Sequence, residues 1–160
     1  MVSEKILSCL ESEALLIKSP IHGLHHWRTV ERNGLYLAQF TGADKEVISL
    51  FGHFHDCMRE NEGRDIEHGP RATTFLRGNR YLIPLDDECF EMLCVACSGH
   101  TFGRTSDCVT VATCWDADRL DLDRVGIQRD PKYFRSDEAQ RIVREGDDAV
   151  LHRFAAIEKK

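Results

Sequence analysis

The sequence has no long hydrophobic run and no basic tract. No apolar stretch approaches the roughly 20 residues that span a bilayer, and the first twenty residues mix glutamates and lysines into their apolar positions, which a secretory signal does not tolerate. The net charge is −6 with eight histidines counted as neutral, which disfavours broad electrostatic capture of nucleic acid. We therefore expect a cytoplasmic protein that does not bind a membrane, and nucleic acid is a disfavoured partner.

Internal repeats, low-complexity tracts and proline- or serine-rich linkers are also absent, so the 160 residues predict a single domain. The hydrophobic share of 42% and the charged share of 30% are typical of a globular protein. Seven cysteines are an odd number without the density of a secreted disulfide scaffold, and we expect reduced thiols. Cys94 and Cys97 form a lone CxxC, which we interpret as core packing because free cysteine behaves as a small hydrophobe.

The spacing of apolar residues predicts an all-α fold, without convincing strand alternation. The helix that follows a cap at Asp44 is apolar nearly all round, which is typical of a central buried helix. The charged run 59–69 contains two glycines and predicts an exposed loop of the kind that borders sites. The other predicted helices cover about 3–17, 26–40, 70–78 and 86–97, one or two lie within 106–122, and a last amphipathic one covers 137–157.

The end of the central helix carries the most informative pair, His55 and Asp56. Burying two hydrophilic groups is costly unless a metal ion, a proton partner or a hydrogen-bond network satisfies them. Other histidines and aspartates occur in "HGLHHW" (22–27) and "WDADRLD" (115–121). Imidazole nitrogens and carboxylate oxygens together suit a divalent cation with room for water and a phosphate oxygen. This chemistry predicts hydrolysis of a phosphate ester.

The order of these residues resembles the signature of the HD-domain superfamily of metal-dependent phosphohydrolases: a histidine, an adjacent histidine and aspartate, and a last aspartate. "HGLHHWRTV" is similar to the first-histidine segment of that family, and "DADRLD" is similar to its last-aspartate segment. The resemblance covers about residues 20–126 and implies a helical bundle, followed here by a helical extension over about 130–157. It implies these metal ligands: His26, His55, Asp56 and Asp118, with Asp56 able to bridge to a second metal.

Two features of the implied site stay open. Asp118 is preferred to Asp116 as the last ligand, because family members place it in an Ala-Asp pair with leucine two positions later. Asp116 would then accept a hydrogen bond behind a ligand. His68 and His100 match the extra histidines of two-metal members, but "SGHT" supplies one histidine where those members often have two. The resemblance therefore favours a single metal, with His68 and His100 contacting phosphate or protonating the leaving group.

The remaining site candidates surround this centre. Arginine forks match phosphate oxygens, and Arg71 is the preferred phosphate contact. Glu60 is a candidate to orient the attacking water. His22 is a candidate to lie behind a ligand, and we expect packing for the two tryptophans. The further arginine candidates are Arg28, Arg59, Arg64 and Arg104, and the histidines expected to lie outside the site are His25 and His53.

The leading hypothesis is a metal-dependent phosphohydrolase that acts on the phosphate ester of a nucleotide or related small molecule. One alternative is a sensor module that binds a nucleotide or metal without turnover, since a fold does not imply an activity. Another is a two-iron oxygenase that uses His68 and His100. The sequence does not distinguish manganese, iron, nickel, cobalt, magnesium and zinc, and it leaves a homo-oligomer open.

Overall fold

The computed structural model describes residues 2–157, and all regular structure in that range is helical. This confirms the predicted all-α class. Three short 3-10 turns occur at Arg80–Leu82, Leu122–Val125 and Pro131–Tyr133. The α-helices are α1 (Glu4–Glu13), α2 (Leu24–Thr41), α3 (Lys45–Phe54), α4 (His68–Gly78), α5 (Asp87–Gly99), α6 (Val109–Arg119), α7 (Asp137–Glu145) and α8 (Ala149–Ile157).

Helix α3 lies at the centre of the bundle, as its apolar sequence predicted. Asp44 caps it by accepting the backbone N–H groups of Glu46 and Val47, both at 2.9 Å. Every residue from Val47 to Phe54 is buried. Helices α2, α5 and α6 all pack against α3, and α4 packs against α5. The C-terminal ends of α3 and α6 and the first turn of α2 are therefore held around one core.

Two glycines allow the helices that carry the site to approach closely. A Cβ at Gly34 in α2 would lie 2.5 Å from Cγ2 of Ile48 and 3.3 Å from Cβ of Ala117. A Cβ at Gly52 in α3 would lie 2.9 Å from the backbone nitrogen of Glu31. Side chains at these positions would push α2 away from α3 and α6. The two glycines thus set the spacing on which the site depends.

Several helix boundaries differ from the sequence predictions. Helix α1 ends at Glu13 rather than about 17, because Ala14 takes an extended conformation. The helix predicted over 70–78 already begins at His68. The single helix predicted over 137–157 is wrong: Gly146 adopts φ +64°, a left-handed conformation that ends α7 before α8 begins.

The C-terminal helices pack against the outer side of α2. Leu37 of α2 forms a second apolar cluster with buried residues from the C-terminal part of the chain: Leu120, Phe134, Ala139, Ile142 and Leu151. Met1 and residues 158–160 of the predicted domain lie outside the described residues, and the single domain stays a prediction. Within the described part, no helix combines the length and hydrophobicity needed to cross a membrane.

Candidate metal centre

Six side chains from five helices or helix ends converge on one buried point. His26 lies in the first turn of α2, and His55 and Asp56 directly follow α3. Asp118 lies in the last turn of α6. His68 opens α4, and His100 directly follows α5. The four residues that the resemblance implied as ligands therefore meet, together with both extra histidines.

The first cluster contains His26, His55 and Asp118. Nε2 of His26 lies 3.0 Å from Nε2 of His55 and 3.4 Å from Oδ1 of Asp118. Nε2 of His55 lies 3.7 Å from the same aspartate oxygen. Oδ2 of Asp56 completes the group, at 3.7 Å from the Nε2 atoms of both His26 and His55.

The second cluster contains Asp56, His68 and His100. Oδ1 of Asp56 lies 3.0 Å from Nε2 of His68 and 3.4 Å from Nε2 of His100. The two Nε2 atoms are 2.7 Å apart. Asp56 thus presents one carboxylate oxygen to each cluster, which is the arrangement of a bridging ligand.

In three of the four imidazoles, the hydrogen-bond partner of Nδ1 determines whether Nε2 carries a proton or a lone pair. Nδ1 of His55 faces the carbonyl oxygens of Phe51 and Gly52, each at 3.1 Å. Nδ1 of His100 faces the carbonyl oxygen of Cys97 at 2.7 Å, and Nδ1 of His68 faces that of Asp65. Carbonyl oxygens only accept hydrogen bonds, so each Nδ1 carries the proton and each Nε2 keeps its lone pair. These lone pairs point into the clusters.

Facing lone pairs repel unless a cation lies between them, either an added proton or a metal ion. Burial lowers the pKa of His55 to about 3, so this ring stays neutral and able to bind a metal. Burial opposes protonation of His26, yet its contacts with Asp118 and Asp121 raise its pKa. Burial acts against ionised Asp56 as well, but the histidines around it, His55 first, hold its pKa well below the ordinary value. The clusters attract positive charge.

The donor set and its spacing fit divalent metal ions. Bonds of about 2.0 to 2.2 Å at angles near 90 to 110° place neighbouring ligand atoms roughly 2.8 to 3.6 Å apart. The separations in the two clusters run from 2.7 to 3.7 Å. Neutral imidazoles with ionised carboxylates suit zinc, manganese, iron, nickel or cobalt. Each cluster can therefore hold one ion.

Comparison with protein-family models and with curated protein sequences gives no match. Among solved structures, the chain is similar to the crystal structure of a predicted HD superfamily hydrolase from an uncultured Thermotogales bacterium. The TM-score is 0.70 at 22% sequence identity, and the match covers 95% of this chain and 90% of that chain. The chain has the HD-domain fold. The residues of its two clusters are those that the resemblance in the sequence implied as ligands, together with the two extra histidines.

Asp116 does not support the clusters of this HD fold, contrary to the expected role behind a ligand. It is fully buried, and its carboxylate accepts the backbone N–H groups of Arg135 and Ser136 at 2.8 to 3.1 Å. Burial raises its pKa, although these hydrogen bonds oppose the shift. Asp116 therefore anchors the segment that leads into α7, while Asp118, two residues later, faces the clusters.

The sequence reasoning missed Asp121. Its Oδ2 lies 2.7 Å from Nδ1 of His26, on the ring edge opposite the cluster. The available signal was its position three residues after Asp118, in the turn that directly follows α6. The contact itself joins residues 95 positions apart, and nothing in the local pattern predicts it.

Two of the arginines that were candidates for phosphate contacts, Arg71 and Arg59, bind the protein itself. Arg71 donates from Nε and Nη2 to the carbonyl oxygen of Met58 and from Nη2 to Asp65 at 2.5 Å. Arg59 donates from Nε to Oδ1 of Asp56 at 3.2 Å and from Nη1 to two carbonyl oxygens of the 59–63 loop. Arg28 is exposed on α2. Arg59 is thus the arginine that touches the cluster.

Glu60, the candidate to orient the attacking water, is largely exposed and contacts Arg71. Its side chain is 62% exposed, and its Oε1 lies 3.6 Å from Nε of Arg71. This places it on the outer side of the 59–65 loop. The side chain nearer to the second cluster is Thr101, whose Oγ1 lies 3.3 Å from Nε2 of His68.

The other histidines take three different positions. His22 is buried and donates from Nδ1 to Glu62, and burial lowers its pKa. His25 is exposed. His53 is buried and bonds through Nδ1 to the carbonyl oxygen of Ser49 at 3.0 Å, in line with the expected structural role.

The aromatic and thiol candidates belong to the core. Trp27 and Trp115 are buried and donate to the carbonyl oxygens of His22 and Ala96 at 2.8 and 3.0 Å. Cys94 and Cys97 are buried in the main apolar cluster as free thiols. The expected packing roles of these four residues agree with their positions.

Proposed function

We propose that the protein is a metal-dependent phosphohydrolase with two ions held on either side of Asp56. The observation that carries the proposal is the pair of clusters that share the two oxygens of Asp56 within an HD-domain fold. The similar protein from the Thermotogales bacterium is described as a predicted HD superfamily hydrolase, which supports hydrolysis as the reaction class. Two ions replace the single ion that the sequence favoured.

A bound divalent ion supplies an acidified water and polarises a phosphate oxygen. The chain's own residues bind and orient that ion. Six side chains present two imidazoles and one shared carboxylate to each cluster, and Asp118 adds a second carboxylate to the first. Asp118 is also the most exposed of these ligands, with 15% of its side chain accessible, whereas Asp56 has 4%. Substrate would therefore approach from the side of Asp118.

The substrate in this proposal is a small-molecule phosphate ester, with nucleotides as the first class to examine. Arg59 brings a positive charge against the bridging carboxylate, and its Nη2 is the nitrogen left for an anion in this geometry. A phosphate at the clusters would meet this guanidinium next to the ions. Thr101 adds a hydroxyl beside the second cluster.

The test begins with protein stripped by a chelator and reloaded with manganese, iron, nickel, cobalt, magnesium or zinc. Each form is assayed against nucleoside mono-, di- and triphosphates, phosphodiesters and phosphorylated metabolites. We expect turnover of at least one phosphate ester, abolished together with bound metal by Asp56→Ala. The control is Asp87→Asn, which changes a fully exposed carboxylate.

Three results would contradict the proposal. Hydrolysis that persists in the Asp56→Ala variant under chelation would remove the metal from the mechanism. Tight nucleotide binding without turnover in every metal form would favour the sensor module. Two bound irons with substrate-dependent oxygen uptake would favour the oxygenase.

A further inference from the structure

His26 differs from the other three histidines of the clusters in the hydrogen-bond partner of its Nδ1 atom. Its Nδ1 faces a carboxylate, that of Asp121 at 2.7 Å, whereas the Nδ1 atoms of His55, His68 and His100 face backbone carbonyl oxygens. A carboxylate that accepts this N–H fixes the tautomer and the rotation of the ring, and it raises the basicity of Nε2. His26 is therefore the histidine whose metal binding depends on one replaceable side chain.

Arg124 holds Asp121 from the other side. Its Nε lies 3.7 Å from Oδ2 of Asp121, the same oxygen that faces His26. Nε also donates to the carbonyl oxygen of Ile21 at 2.9 Å, and Nη1 donates to the carbonyl oxygen of Asp121 at 3.1 Å. These backbone bonds fix the guanidinium, so it acts on the Asp121 carboxylate mainly as a positioned charge.

The ion pair of Arg124 and Asp121 is largely buried rather than exposed to solvent. Exposed ion pairs contribute little because both side chains are mobile and screened by solvent. Here the side chain of Asp121 is 22% exposed and that of Arg124 is 18% exposed. Both belong to the turn at the start of Leu122–Val125, and Arg124 joins this turn to the segment just before α2 through Ile21. The contact of Arg124 with Ile21 therefore joins the turn after α6, the helix that carries Asp118, to the segment before α2, the helix that carries His26.

We propose that Asp121 and Arg124 are positioning residues that hold His26 with its Nε2 atom toward the first cluster and thereby set the affinity of that cluster for its ion. Asp121 is not itself a ligand, since it lies on the opposite edge of the imidazole from His55 and Asp118. The second cluster has no part in this arrangement. This inference rests on the proposed metal centre but not on the substrate or the reaction.

The test measures binding of Zn²⁺ to stripped protein by calorimetry, in a His68→Ala background that leaves the first cluster as the binding site. We expect Asp121→Ala to weaken Zn²⁺ binding about 10- to 100-fold. Asp121→Asn keeps an acceptor oxygen without the charge and should lose less, and Arg124→Gln should lose less than tenfold. The control is Asp123→Asn in the same turn, a 57% exposed carboxylate that pairs with Arg129.

A second measurement separates positioning from a general loss of structure. In a His26→Ala background Asp121→Ala should cause no further loss of Zn²⁺ affinity, because its effect acts through the missing ring. An equal loss in both backgrounds would overturn the positioning role, as would unchanged affinity in Asp121→Ala. If Asp121→Ala does not fold, Asp121→Asn and Arg124→Gln carry the same comparison. Absence of Zn²⁺ binding in the unsubstituted chain would instead refute the proposed function.

Discussion

Nε2 of His68 lies 2.7 Å from Nε2 of His100, although Nδ1 of each ring faces a backbone carbonyl oxygen. Two such nitrogens this close require a cation between or beside them. Nε2 of His26 lies similarly close to Nε2 of His55, at 3.0 Å, although Nδ1 of His26 faces the carboxylate of Asp121. Each cluster thus contains two imidazole nitrogens in close contact, and Asp56 contributes one carboxylate oxygen to each cluster.

The first prediction concerns metal stoichiometry. His68→Ala removes one of the ligands of the second cluster and leaves the first cluster intact. We expect bound metal to fall from two ions per chain to one, measured by elemental analysis after dialysis. Asp56→Ala should remove both ions because its two oxygens serve both clusters. His25→Ala, which changes an exposed histidine beside His26, is the matched control.

Full metal content in His68→Ala would contradict the second cluster. One ion in the unsubstituted chain, unaffected by His68→Ala but lost with His55→Ala, would restore the single-metal site that the resemblance favoured. The two histidine substitutions therefore distinguish the two stoichiometries directly.

The second prediction assigns Asp116 to stability rather than to the metal. Asp116→Ala removes the carboxylate that accepts the backbone N–H groups of Arg135 and Ser136, and a hydrogen bond to a charged group contributes about 1.5 to 3 kcal/mol. We expect the free energy of unfolding to fall by roughly 2 to 6 kcal/mol in denaturant titration. Metal stoichiometry in the folded protein should be unchanged. Loss of metal at temperatures where the variant is fully folded would show that Asp116 supports the clusters after all.

The helices and the central position of α3 were predictable because apolar periodicity directly reports which face of a helix is buried. His26, His55, Asp56 and Asp118 could be named as candidate ligands because the resemblance is local around each of them. The break at Gly146 had a local signal too, a glycine at the end of an amphipathic stretch. Apolar residues continue on both sides of Gly146, so their periodicity predicts one unbroken helix.

The partners of polar side chains were not predictable in the same way. Arg71 is a residue of the type that binds phosphate, but its donors bind Met58 and Asp65. Whether a guanidinium meets a carbonyl oxygen or solvent depends on the path of a loop. The contact of His26 with Asp121 likewise depends on a turn that follows α6, far from His26 in sequence.

The third prediction follows from those contacts of Arg71. Arg71→Ala removes the hydrogen bonds that hold the 58–65 loop. We expect faster amide hydrogen exchange in this loop, with metal stoichiometry unchanged. The control is Arg64→Ala, which changes an exposed arginine of the same loop. Weaker binding of inorganic phosphate with unchanged loop protection would instead support Arg71 as the phosphate contact.

The fourth prediction compares two glycines of α4. A Cβ at Gly69 would lie 2.6 Å from the carbonyl oxygen of Cys97, which accepts the Nδ1–H of His100. Gly69→Ala should therefore push α4 from α5 and tilt the His100 ring. We expect a loss of about 1 to 3 kcal/mol in the free energy of unfolding and weaker binding of the second ion.

Gly78 in the same helix has open space around the position of a Cβ. Gly78→Ala should leave both ions bound and change stability by no more than about 1 kcal/mol, in the stabilising direction, because alanine favours the helix. Thermal unfolding and metal titration of the two variants test the contrast. Equal behaviour of Gly69→Ala and Gly78→Ala would mean that the contact of α4 with Cys97 does not control the geometry of the second cluster. A selective loss of the second ion in Gly69→Ala would show that backbone packing, and not only the ligands, controls whether the second ion binds.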